Sequence, residues 1–215
     1  MTGSFPSNFQ GEVWVPDDKT TFRKGKIIDY IEDGKKCKVQ LDGSSDVNVY
    51  DCDKIEKCNP QAFAKCDDMA SLTYLKEPSI LHKLKLRYKD DNIYTYSDLF
   101  LVAINPYKTL NIYNKDFIKL YRNSVKKDKT SESDLYCETA TVRGSMKPHI
   151  FSVAEEAYEN LLSDSQDQSI LVTGESGAGK TENTKKVIQY ILGVSTSENN
   201  REKAMKLEAQ IMQAN

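Results

Sequence analysis

The sequence predicts an α/β protein, a small antiparallel β unit followed by a phosphate-loop α/β domain. Three observations carry this. The run SILVTGESGAGKTENTKK, from Ser169 to Lys186, reads as an apolar strand, a glycine loop and the start of a helix. Two Asp-Gly pairs, Asp33-Gly34 and Asp42-Gly43, separate short strand-like runs near the N-terminus. Such pairs favour hairpins because glycine accepts positive φ without strain. Between these regions, period-two and helical apolar patterns alternate.

Composition narrows the function classes. The chain has 215 residues, of which 29% are charged and 39% hydrophobic, with a net charge of −2. This is a soluble, globular balance, and it argues against a large basic nucleic-acid footprint. No apolar run approaches the roughly 18 residues that would suggest a membrane span. The start MTGSFPSNF shows no basic segment followed by an apolar one, so no signal peptide is expected. Five cysteines include no CxxC pair, and only His82 and His149 could join them. A zinc site needs tighter spacing, so reduced thiols in a cytoplasmic protein are expected.

From Glu12 to Lys57, EVWV, the two Asp-Gly turns and DVNVY predict several short strands, hence a small antiparallel barrel or sandwich. Trp14, the single tryptophan, is expected to pack in its core or rim. A connector follows. Leu72, Leu75, Ile80, Leu81, Leu84 and Leu86 then give a helical pattern broken at Pro78, where a second piece can begin. IYTYSDLFLVAIN switches to strand character, with a turn near Ser97-Asp98. KDFIKLYR reads as a short helix, and Asn123 to Lys147 as a long polar surface excursion. HIFSVAEEAYENLLSD predicts an amphipathic helix with Phe151, Ala154, Ala157, Tyr158, Leu161 and Leu162 on one face. After the glycine loop, a helix from Lys180 to Leu192 should bury Val187, Ile188, Ile191 and Leu192 and end at Gly193. STSENNRE reads as a loop, and KAMKLEAQIMQAN as the opening of a further helix.

The chemistry concentrates in Gly174, Glu175, Ser176, Gly177, Ala178, Gly179, Lys180 and Thr181, which fit GxxxxGK[ST]. Glycines let successive backbone N–H groups turn inward as an anion nest, and the following helix adds its positive end. In such loops Lys180 reaches the β and γ phosphates and the Thr181 hydroxyl ligates Mg²⁺. Ser176 is placed to donate to a terminal phosphate oxygen. Glu175, Glu182 and Asn183 are polar neighbours whose roles the spacing leaves open. Hydrolysis also needs a carboxylate at a second strand end and a group that positions water. No aspartate follows Lys180, and LFLVAIN ends in Asn105. A catalytic second half is therefore not expected within these residues. A phosphate-loop enzyme of another kind, or an interaction module built on the β unit, are the alternatives.

GESGAGKTENTKK closely resembles the phosphate loop of myosin motor domains. VWVPD with its hairpins resembles the small SH3-like barrel at the front of many myosins. DDMASLTYLKEPSILHKLKLRY, IYTYSDLFLVAINPYK, PHIFSVAEEAY and LEAQIMQAN match the family in order and spacing. The resemblance looks most like a conventional, filament-forming, class II-like heavy chain. It implies an N-terminal tail at 1–11, an SH3-like barrel at 12–58, a linker at 59–66 and the first portion of the motor at 67–215. It also implies ATP and Mg²⁺ as cofactors. Asn105, Pro106 and Tyr113 match the NPx6Y motif beside the adenine, with Asn105 and Tyr113 as contacts and Pro106 fixing the turn. The loop from Gly193 to Arg201 would tune nucleotide exchange. Actin filaments, light chains, coiled-coil self-assembly and a cytoskeletal location would belong to the parent heavy chain, through regions beyond Asn215. Neighbours for the phosphate-loop strand would come from the same later regions, leaving the central sheet incomplete here and its edges unpaired. Three departures stand out: Asp98 in place of a glycine, Asn111 in place of a proline, and the long 123–147 excursion.

Overall fold

The computed structural model describes residues 9–61, 63, 66–128 and 146–195. The chain divides into two compact units, Met1–Leu86 and Arg87–Asn215.

The first unit is built on a five-stranded antiparallel sheet, β1 (Glu12–Asp17), β2 (Thr21–Ile31), β3 (Lys36–Leu41), β4 (Val47–Asp51) and β5 (Glu56–Lys57). The spatial order is β4-β3-β2-β1-β5. Both Asp-Gly pairs sit at turns between strands. Asp33 (φ 52) and Gly34 (φ 84) turn the chain from β2 to β3, and Gly43 (φ 74) turns it from β3 to β4. Val13, Val15, Ile27, Cys37, Val39, Leu41 and Ile55 make a buried cluster. Alternation along β1 and β3 puts these residues on one face. Gly25 is required by a close strand approach, since a Cβ there would lie 2.6 Å from Val39 Cγ1 and 2.8 Å from the Gln40 carbonyl. In β2, Ile28 is an extra residue between the Ile27–Val39 and Asp29–Lys38 pairs, a bulge that bends the strand.

Trp14 points to the other face of β1 and is also buried, with its ring 4.8 Å from that of His82. Burial pushes the Cys37 and Cys58 thiols up to about 12, so both stay protonated. Among the described residues no group of three or more His, Cys, Asp or Glu could hold a metal. Asn59 is tied to Tyr74 and Ser79 through its side chain. Asn59 Nδ2 donates to the Tyr74 carbonyl (2.9 Å) and Ser79 Oγ (3.0 Å), and its Oδ1 accepts from Tyr74 N (2.8 Å). Helix α1 (Glu77–Lys89) starts one residue before Pro78, which sits in the first turn where a missing N–H costs nothing.

The second unit opens with the hairpin β6 (Tyr94–Ser97) and β7 (Phe100–Ala103). Its turn holds Asp98 at φ 53, so the position where glycine was expected does take the left-handed conformation, at some strain for aspartate. Among the described residues, three helices follow, α2 (Lys115–Asp128), α3 (Ile150–Asp164) and α4 (Lys180–Ser195). Ile93, Tyr94, Tyr121, Ile150, Phe151, Ala154, Val187 and Tyr190 form its buried cluster.

Several expectations need correction. Ser169–Val172 is not a strand. It keeps period-two alternation, with Ile170 packed against the core and Leu171 89% exposed. Among the described residues, however, no strand runs beside it, and apolar alternation without a ladder partner makes no sheet. Helix α2 continues through Asp128, well past Arg122. The rest of the expected excursion, 129–145, lies outside the described residues. On α3 the buried face is Ile150, Phe151, Ser152, Ala154 and Glu155, while Leu161 and Leu162 are exposed. Helix α4 runs through Gly193 and buries Val187 and Tyr190, leaving Ile188, Ile191 and Leu192 half-buried. Gly193 is therefore no C-cap. A Cβ there would sit 3.0 Å from Ile118 Cδ1 of α2, so it permits the two helices to approach. Gly193→Val is expected to displace Ile118 and lower stability by about 1–3 kcal/mol, read as a lower denaturation midpoint at unchanged slope. The loop and helix expected at 196–215 lie outside the described residues.

Candidate functional site

The glycine loop lies between the irregular segment ending at Thr173 and α4, which begins at Lys180. Its three glycines all have positive φ: 150 at Gly174, 79 at Gly177 and 95 at Gly179. Such a path is open to glycine and strained for other residues. A Cβ on Gly174 would approach Ala178 Cβ to 3.3 Å. Ala178 N donates to the Glu175 carbonyl (3.2 Å), which tightens the turn. Lys180 Nζ donates to the carbonyls of Gly174 and Glu175, each at 2.8 Å, and so lies across the base of the loop. Glu175, Ser176, Thr181 and Glu182 are exposed around it.

Two asparagines hold this loop from outside. Asn105 follows β7 and Ile104. Its Nδ2 donates to the Gly177 carbonyl (2.8 Å), and its Oδ1 accepts from Tyr107 N (3.0 Å), which closes the turn at Pro106. Asn183, in the first turn of α4, donates from Nδ2 to the Gly179 carbonyl at 3.0 Å. Both amides fix peptide orientation in the loop, and neither role was visible from spacing.

A cavity of about 220 Å³ opens beside the loop. Asn105, Pro106, Tyr113, Gly179, Glu182 and Asn183 line it, together with Tyr94 and Lys186. Residues separated by more than seventy positions thus share one wall. Gly174 to Ala178, Lys180 and Thr181 belong to the loop itself and do not line this cavity. Lys186 Nζ stands 4.7 Å from the centre of the Tyr113 ring, a cation–π geometry.

Tyr94 escaped the sequence reading. Its hydroxyl donates to Asn183 Oδ1 (2.9 Å) and lies 2.8 Å from the Tyr113 hydroxyl. Burial raises both phenols above their ordinary range, most strongly Tyr94, so both stay neutral. A usable signal did exist in IYTYS. Tyr94 and Tyr96 fall on one strand face, and a buried tyrosine hydroxyl needs a partner. Tyr96 finds Ser152 Oγ at 2.6 Å.

His149 also went unassigned. It caps α3, with Nδ1 accepting from Phe151 N at 3.0 Å. Its ring lies within 4.6 to 6.0 Å of the rings of Tyr94, Tyr113, Phe117, Tyr121 and Phe151. Tyr113 thus touches the cavity on one side and the cap on the other.

The arrangement can hold an anion at a helix start and a flat group beside it. Residues 66–215 match the myosin head (motor domain) family. The chain is 45% identical to Myosin-1 of Saccharomyces cerevisiae over 91% of its own length, and 48% identical to Myosin type-2 heavy chain 1 of Schizosaccharomyces pombe over 86%. It spans only 10% and 11% of those two proteins. A glycine loop opening a helix, an asparagine-proline turn tied to it and a matching family over most of the length lead to one conclusion: this chain belongs to the myosin head family and carries an N-terminal part of the motor domain.

Proposed function

We propose that this chain supplies phosphate recognition and one side of the base pocket to an actin-based, ATP-driven motor. The observation that carries the reading is the Asn105–Gly177 bond. It brings the purine-side turn and the phosphate loop around one cavity. Lys180 is the cation for the β and γ phosphates, and the Thr181 hydroxyl on the first turn of α4 is the protein ligand for Mg²⁺. The Thr181 hydroxyl is an exposed oxygen donor of the kind a hard cation takes, and such an ion would offset phosphate charge there. When bound, Mg-ATP supplies the transferable phosphoryl group. The chain's own residues bind and orient it: loop N–H groups and Lys180 at the phosphates, Ser176 at a terminal oxygen, Pro106 and Tyr113 at the base. Glu175, Glu182 and Asn183 complete the nucleotide-binding set.

In this reading the β unit at 12–58 is an SH3-like barrel with a packing role, joined by 59–66 to the motor portion at 67–215. Water positioning, actin binding, light-chain binding and self-assembly belong to other parts of a cytoplasmic, cytoskeletal heavy chain. Lys180→Ala in the intact heavy chain is expected to weaken Mg-nucleotide binding about ten- to hundredfold, as for loss of a charged hydrogen-bonding partner. Equilibrium binding of Mg-ADP measures it, and unchanged affinity overturns the reading. The 215 residues alone are expected to show no ATP turnover above a Lys180→Ala control.

A further inference from the structure

We infer that Tyr94 is a specificity-determining positioning residue. It fixes which way the Tyr113 hydroxyl points its proton, and so selects a purine carrying a 6-amino group over one carrying a 6-oxo group. The inference rests on the nucleotide-site reading above and deepens it.

The argument starts at the phosphate loop. The Gly179 carbonyl can only accept. It already takes the Asn183 backbone N–H (3.0 Å), and the Asn183 side chain approaches it at 3.0 Å. That side chain must therefore present its Nδ2, because its oxygen would meet another oxygen. Its Oδ1 is then turned towards Tyr94 and can only accept, so the Tyr94 hydroxyl gives it its single proton at 2.9 Å. Having spent that proton, Tyr94 can only accept from Tyr113, 2.8 Å away. Every bond in the chain Tyr113, Tyr94, Asn183, Gly179 runs the same way, and its sense is set by a backbone carbonyl of the glycine loop.

The consequence lies at the cavity wall, which Tyr113 lines. Its one proton points inward to Tyr94. Towards a ligand its oxygen offers only a lone pair. An exocyclic amine, a donor, is matched there. A ring carbonyl, an acceptor, faces lone pair against lone pair. A site with a buried, committed partner rejects the wrong polarity more sharply than a hydroxyl free to rotate. Tyr94 is 2% exposed, so water does not readily replace its bonds.

The test compares Mg²⁺-dependent binding of ADP, inosine diphosphate and pyrophosphate to the intact heavy chain. Inosine diphosphate differs from ADP at the 6-position and the adjoining ring nitrogen, and pyrophosphate has no base. The unaltered protein is expected to prefer ADP to inosine diphosphate by about tenfold, roughly one neutral hydrogen bond. Tyr94→Phe keeps the ring but frees the Tyr113 hydroxyl to rotate. It is expected to bring that ratio near one, with any change in pyrophosphate affinity smaller than the change in the ratio. Tyr113→Phe, altered at the less buried partner, is expected to lose the same ratio, and the double variant to lose no more. A ratio that survives Tyr94→Phe overturns the inference. Equal losses of ADP and pyrophosphate binding in Tyr94→Phe also overturn it, since they mark a merely structural role. Indifference of the unaltered protein to the 6-position overturns it as well, but leaves the phosphate-loop reading standing. That reading falls separately if Lys180→Ala binds pyrophosphate as tightly as the unaltered chain.

Discussion

Arg122→Ala is expected to destabilise the second unit by about 3–5 kcal/mol, the cost of stranding a buried charge. Glu155 on α3 is fully buried in its side chain, yet it carries a carboxylate. Arg122 Nη1 on α2 donates to Glu155 Oε1 at 2.8 Å and also reaches Glu159. The Tyr190 hydroxyl on α4 donates to Glu155 Oε2 at 2.8 Å. Three helices therefore meet on one acid. Desolvation raises the Glu155 carboxyl above its ordinary value, while Arg122 and Tyr190 pull it back down. The arginine also lies 5.1 Å from the centre of the Tyr158 ring, so its loss removes packing as well as charge.

The sign of the pH effect follows from that raised value. A carboxyl whose folded pKa is raised favours the folded state at low pH, and the benefit is lost as pH rises through the folded value. Removing Arg122 raises it further. The destabilisation by Arg122→Ala should therefore be largest near neutral pH and shrink as Glu155 protonates. Glu155→Gln placed on the Arg122→Ala chain should restore about 1–3 kcal/mol, because a neutral amide still accepts from Tyr190. Denaturant titrations at pH 7 and at about pH 4.5 read both effects. If the Gln substitution restores nothing, packing and not charge holds this junction.

A second large effect is expected from His149. Burial lowers its pKa from 6.5 to about 4, with the Ile112 backbone pulling the other way. The neighbours facing it are the rings of Tyr94, Tyr113, Phe117, Tyr121 and Phe151, none of which ionises below neutrality. Nδ1 must stay unprotonated to accept from Phe151 N. A group whose folded pKa is depressed gives stability that is present above the unfolded value and lost as pH falls to the folded one. His149 should thus contribute a loss of about 3 kcal/mol between pH 6.5 and pH 4. His149→Asn keeps a good capping side chain and removes the titration. Its stability profile should be flatter than that of the unaltered chain across this window, whatever its absolute level. Parallel profiles would show that the imidazole does not titrate with folding. Because Tyr113 touches this ring, acid loss of the cap should also loosen the cavity wall.

Much of the architecture could be read in advance where local chemistry dictates it. The two Asp-Gly turns, the start of α1 at Pro78, the Ser97-Asp98 turn and the loop at Gly174–Thr181 each rest on backbone preferences of a few adjacent residues. The family resemblance was equally legible, since it lies in ordered local motifs. The errors fell where a neighbour far along the chain decides. Ser169–Val172 has strand alternation but no ladder partner among the described residues. Gly193 looked like a helix stop and is a contact point for Ile118. Leu161 and Leu162 looked like core and are exposed, while Glu155, outside the expected apolar face, is buried.

The candidate site divides along the same line. By itself the sequence determined that a glycine loop opens a helix, that Lys180 and Thr181 stand at that helix start, and that an Asn-Pro turn follows an apolar strand. These are local patterns with a local physical cause, positive φ at glycine and free N–H groups at a helix start. Only the tertiary structure decided that Asn105 and Asn183 clasp the loop, that Tyr94 joins Asn183 to Tyr113, and that His149 stands behind that wall. Hydrogen bonds have direction and close range. Which donor meets which acceptor depends on where packing brings side chains up to 89 positions apart in the sequence, and no periodicity in the chain encodes that meeting.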